Sequence, residues 1–127
     1  MVEALLVGTG GAVGCIIRYF TTKVSLELMP GFPYGTLFVN AVAGLAIGML
    51  MGLTNQTDVL SERARLFVVV GILGGMSTYS AFSAETFSML QEQQYLSAAG
   101  NILLNTGLSL SMVALGWWLM TRLLETG

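Results

Sequence analysis

The residues able to do chemistry in this chain are neutral. Asn101, Asn105 and Ser109 are spaced i, i+4, i+8, which stacks amide, amide and hydroxyl along one helix face. Ser80, Ser83 and Phe87 share another face, with Tyr79 and Phe82 as i, i+3 neighbours. Asn40 stands alone in an apolar run. Amides and hydroxyls donate hydrogen bonds without holding a solute by full charge, and aromatic ring edges carry partial positive charge that can face an anion. Conduction needs sites strong enough to replace hydration and weak enough to release. This inventory suits an uncharged solute or a small anion. The plainer reading is interhelical glue, in which Asn and Ser simply bond neighbouring helices. For Thr106 and Ser111 glue is preferred. For the Asn101–Asn105–Ser109 row, spacing alone leaves both readings open.

Several chemistries are excluded. The chain has no histidine, and its one cysteine, Cys15, leaves no intramolecular disulfide and argues against a thiolate zinc site. Charged residues make up 9% of the 127 residues, against roughly 25% in an average soluble domain. Hydrophobic types reach 54% and mean hydropathy is +0.76. A soluble enzyme domain, a disordered tail and a nucleic-acid binder all fit poorly. Net charge is −2, so there is no polybasic surface for DNA or acidic lipid.

The elements that must position the polar groups follow from the charge gaps. Uncharged stretches run between Glu3 and Arg18, from Leu28 to Thr57, from Leu66 to Ala84 and from Gln93 to Thr121. A membrane helix needs about 20 mostly apolar residues. Four spans are expected near 4–22, 35–54, 66–90 and 97–122, as a single all-α transmembrane domain. Glu3 near the start and Arg18 and Lys23 at the far end make the first span a retained helix rather than a signal peptide. Aromatics such as Tyr19, Tyr34, Tyr95, Trp117 and Trp118 mark headgroup levels. Pro30 and Pro33 fall in the first connection. Arg63, Arg65 and Arg122 lie on one side, Lys23 and Arg18 on the other, which is almost no bias under the positive-inside rule. Two-way insertion as an antiparallel dimer is one expectation; a weakly biased single topology is the other.

Glycines pattern the spans. Gly10 and Gly14, Gly44, Gly48 and Gly52, and Gly71 and Gly75 form small-xxx-small stripes suited to close helix packing. The run Gly8–Gly14 superficially resembles a dinucleotide loop, but no strand or βαβ unit accompanies it. The third span differs. Gly71, Gly74 and Gly75 adjoin Ser77, Thr78, Tyr79 and Ser80 near mid-membrane. Weak helix formers at this density point to a broken helix, tolerated where protein or a cavity receives the freed backbone groups. A glycine-rich face on an unbroken helix is the alternative.

Three stretches then identify a resemblance that covers nearly the whole chain. Gly10-Gly11-Ala12-Val13-Gly14-Cys15-Ile16-Ile17-Arg18-Tyr19, Gly35-Thr36-Leu37-Phe38-Val39-Asn40-Ala41-Val42-Ala43-Gly44 and Gly74-Gly75-Met76-Ser77-Thr78-Tyr79-Ser80-Ala81-Phe82-Ser83 resemble the first, second and broken third helices of the Fluc (CrcB) fluoride channels. The resemblance implies a dual-topology antiparallel homodimer in the bacterial inner membrane, conducting fluoride passively through two pores. It implies a central structural Na+ held by the backbone carbonyls of Gly74 and Ser77, two from each subunit. It makes Asn40 the pore amide, Tyr79 and Phe82 the pore aromatics, and Ser80 and Ser83 nearby hydroxyls. Asn101, Asn105 and Ser109 match the polar track. Glu85 is placed toward one vestibule and Arg18 near the other end. Three positions depart from the family pattern: Tyr79 replaces a phenylalanine, Ala81 a frequent threonine, and Val113 a threonine found in many members.

Two other classes compete with this one. A small multidrug-resistance exporter shares the size, yet needs a mid-membrane glutamate in the first helix, where Glu3 lies at the start instead. A non-transporting assembly protein would use its polar groups purely as glue.

Overall fold

The computed structural model describes residues 1–56 and 59–126. All regular structure among them is helical. Helix α1 spans Val2–Leu28, α2 Tyr34–Gln56, α3 Glu62–Arg65, α4 Gly74–Met76, α5 Tyr79–Gln91 and α6 Tyr95–Glu125. A π-helical segment, Leu66–Leu73, links α3 to α4. Four stretches are long and apolar enough to cross a membrane: Val2–Leu28, Tyr34–Asn55, Glu62–Gln91 and Tyr95–Glu125. The protein is thus a multi-pass membrane protein, and large apolar side chains such as Leu5, Ile16, Leu103 and Leu110 point outward, where lipid replaces water as the surrounding solvent.

Local chemistry sets the ends. After α1 the chain turns through Pro30 and Gly31, the latter at φ 107°, a region open mainly to glycine. Ser61 caps α3, its Oγ accepting from the Ala64 amide at 3.2 Å. At the end of α5, Gln93 sits at φ 59°, and the Gln94 amide reaches back to the Met89 carbonyl at 2.8 Å.

Two glycine seams hold the fold. On one, α1 lies backbone to backbone against the third span. A Cβ on Gly14 would strike the Ile72 carbonyl and come within 2.8 Å of the Met76 nitrogen. On the other, a Cβ on Gly48 would strike the Val113 carbonyl of α6. Without a hydrophobic drive between helices in lipid, such close approach supplies the packing. Between the seams lies a small core of Val39, Ala43, Leu73 and Met76. The buried set also holds Thr36, Thr86, Asn101 and Asn105.

The π-helical turn goes beyond the sequence pattern, which gives a span near 66–90 interrupted at its glycines. Such segments are rare and favour functional sites. Here it directly precedes the residues that matter.

Candidate functional site

Between α4 and α5 the backbone is extended: Ser77 has ψ 150° and Thr78 φ −151°, ψ 124°. An uninterrupted helix would send the Thr78 amide to the Gly74 carbonyl and the Ala81 amide to the Ser77 carbonyl. Both donors go elsewhere. The Thr78 amide donates to Asn40 Oδ1 at 2.8 Å. The Ala81 amide donates to Thr78 Oγ1 at 3.2 Å, an N-cap for α5. The Gly75 carbonyl accepts from Arg18 Nε at 3.3 Å, with Cys15 Sγ at 3.6 Å. Gly74 and Ser77 therefore carry the carbonyls whose helical donors have been diverted, and Gly74 is exposed on the subunit surface.

Asn40, on α2, uses its whole amide. Beside accepting from Thr78, its Nδ2 donates to the Thr78 carbonyl at 3.2 Å and to Asn105 Oδ1 at 3.0 Å. Asn105 Nδ2 donates to Asn101 Oδ1 at 2.8 Å. Asn101 Nδ2 donates to Thr86 Oγ1 at 2.9 Å, and Thr86 donates to the Phe82 carbonyl at 2.8 Å. Asn101 is fully buried and Asn105 nearly so.

A groove of about 420 Å³ opens beside this chain of bonds. Asn40, Ser77, Tyr79, Phe82, Asn105 and Ser109 all line it. Tyr79 is 80% exposed on the single subunit. Its ring centroid lies 5.5 Å from that of Phe82, tilted by 58°. The wall is mostly apolar with few convergent polar groups, the general pattern of a small-ligand site.

The other expected site residues do not line the groove. Asn101 sits behind Asn105. Ser80 Oγ is 3.3 Å from Thr78 Oγ1. Ser83 Oγ donates to the Tyr79 carbonyl at 2.9 Å. Glu85 lines a separate cavity of about 340 Å³ with Glu92 and Gln94. One of its oxygens accepts the Thr36 hydroxyl; the other is buried and has no partner among the described residues. Arg18 is half-buried on α1 at the Gly75 carbonyl.

Three participants have no role that spacing in the sequence would give them: Thr36, Thr78 and Thr86. Thr78 has a local signal, since a hydroxyl directly before a helical run is an N-cap signature. Thr36 and Thr86 have none, because Glu85 and Asn101, the side chains that give them a role, lie on other helices.

Comparison with known proteins places this geometry. Residues 5–117 match the family described as CrcB-like protein, Camphor Resistance (CrcB). A protein of Pyrococcus furiosus named fluoride-specific ion channel FluC is 42% identical over 120 residues, 94% of this chain and 97% of the relative. One of Rhizobium etli with the same name is 39% identical over 124 residues, 97% of this chain and 99% of the relative. Another of that name, from Clostridium novyi, is 38% identical over 117 residues, 91% of each chain. With a family match across most of its length and relatives this similar end to end, the chain belongs to the CrcB family.

Proposed function

We propose that the protein is a passive, fluoride-selective channel of a bacterial inner membrane, not an enzyme. The observation that carries the reading is Asn40 beside the Tyr79–Phe82 ring pair, at a groove whose lining holds amides and hydroxyls but no charged side chain. The relatives' printed name supports the choice of ion. Fluoride is small and strongly hydrated, so its path must offer hydrogen-bond donors and positive ring edges. Of the two bonds Asn40 donates, the 3.2 Å one to the Thr78 carbonyl is the longer and the one the ion displaces. A charged acceptor strengthens the bond it takes over. The ring pair then passes the ion along the groove toward Ser109.

The functional unit is an antiparallel dual-topology homodimer with two pores, the third helix of each subunit broken at mid-membrane. Its support is the near-even division of Arg and Lys between the two sides. At the dimer centre the Gly74 and Ser77 carbonyls would hold a structural sodium ion. The donor set fits: hard oxygens suit a hard cation, and these two carbonyls are the ones whose helical donors go to side chains. Bound there, a cation would satisfy carbonyls that the interruption leaves without their helical donors.

Proteoliposomes loaded with fluoride and clamped with valinomycin test the reading. Fluoride leaves and chloride stays. Equal chloride release, or no fluoride release from folded protein, defeats it.

The burial of Asn101 favours a part of the glue reading. That amide serves the interior, and the groove begins at Asn105.

A further inference from the structure

We propose that Thr86 and Asn101, neither of which lines the groove, are positioning residues that act with the Thr78 backbone to hold the Asn40 amide in one orientation. The inference rests on the reading of Asn40 as the pore amide.

The chain of bonds has a direction. Thr86 gives its hydroxyl proton to the Phe82 carbonyl at 2.8 Å, so toward α6 it offers only lone pairs. Asn101 must meet it with Nδ2, at 2.9 Å. That turns Asn101 Oδ1 to Asn105, which must answer with Nδ2, at 2.8 Å. Asn105 Oδ1 is thereby turned to Asn40, which must donate, at 3.0 Å. Only one end of Asn40 then remains for the Thr78 amide, its oxygen, at 2.8 Å.

No amide can be reversed alone, and reversing the whole set would turn Asn40 Nδ2 onto the Thr78 amide and Asn105 Oδ1 onto the Asn101 backbone carbonyl, which takes a second bond from Asn105 Nδ2 at 3.2 Å. A lone reversal sets oxygen against oxygen or N–H against N–H, in a buried site where water does not repair the mismatch. Asn101 is fully buried and Thr86 and Asn105 nearly so. The two ends of the chain are backbone groups, the Phe82 carbonyl and the Thr78 amide, so helix geometry sets the polarity. Thr86 thus acts on Asn40 through two intervening amides without touching it.

Thr86→Val keeps the side-chain shape and removes the hydroxyl. Fluoride efflux from proteoliposomes should fall about tenfold, the factor expected for one lost or reversed hydrogen bond. Thr86→Ser should restore it. Thr86→Ala, which lacks the same hydroxyl but is smaller, should behave as Thr86→Val. The second readout is the side-chain amide signal of Asn40 in protein labelled with 15N-asparagine. It should shift in Thr86→Val and return in Thr86→Ser. This signal reports the relay even if wild-type liposomes release no fluoride, an outcome that would count against the channel reading alone. An unmoved Asn40 signal in Thr86→Val overturns the proposal. So does a defect that follows side-chain volume, with Thr86→Ala impaired and Thr86→Val like wild type.

Discussion

Asn40 pairs with Thr78 as a neighbouring β-strand would. Its Oδ1 accepts the Thr78 amide at 2.8 Å and its Nδ2 donates to the Thr78 carbonyl at 3.2 Å. One side chain from α2 thus satisfies both backbone groups of an extended residue inside a membrane span, where unmet N–H and C=O groups are costly. The same amide that lines the groove also keeps the Gly74 carbonyl free of its helical donor.

Asn40→Asp removes both donated bonds and adds negative charge where an anion must pass. Fluoride efflux should drop at least about 100-fold, equivalent to about 2.7 kcal/mol of added barrier. Dimer yield by size exclusion should change far less. Collapse of assembly with normal conduction by the remaining protein would instead favour glue.

Tyr79→Phe keeps the ring that faces Phe82 at 5.5 Å. Efflux should stay within about threefold of wild type, whereas Tyr79→Leu, which loses the ring edge, should cost about tenfold. Similar rates for all three proteins would remove the ring pair from the path.

Gly48→Ala drives a Cβ into the Val113 carbonyl, while Gly8→Ala meets nothing within 4 Å. Overpacking of this kind costs about 1–3 kcal/mol. Thermal unfolding in detergent should fall clearly for the first variant and hold or rise slightly for the second.

Sodium replacement by N-methylglucamine during purification should reduce both the dimer fraction and fluoride efflux, and returning sodium should restore them. Indifference of both to the cation would refute the carbonyl site.

Gln93→Gly relieves a left-handed backbone at φ 59° on the α5–α6 turn. A gain of about 1 kcal/mol in stability is expected, with unchanged efflux. A loss would mean that the Gln93 side chain matters more than its backbone.

The spans were legible because lipid tolerates so few charges: each long gap between charged residues falls largely within a membrane-spanning stretch, although α1 runs on through Arg18, Lys23 and Glu27 to Leu28. Gly44, Gly48 and Gly52 were readable as a seam for the same reason, since close backbone approach is the main source of packing there. Which helix the seam met was not readable. Spacing placed Asn101, Asn105 and Ser109 on one face, but it did not separate the buried Asn101 from Ser109 on the groove. That division depends on how α6 is turned against α2 and α5. Thr86 was invisible for a related reason, as its role comes from Asn101 across the Glu92–Gln94 turn. The π-helical Leu66–Leu73 has no local sequence signature, since its residues are ordinary apolar helix material.

The two glycine seams also order events in time. Neither joins neighbours in sequence: α1 closes on the third span and α2 on α6. During synthesis, α2 therefore waits for the last helix to be made before its glycine face is covered. Until α6 enters the bilayer, Gly44, Gly48 and Gly52 face lipid, Asn40 lacks Asn105, and the relay has no middle. A chain cut short before α6 would carry three spans and an open seam, leaving quality-control proteases an unfinished bundle to recognise.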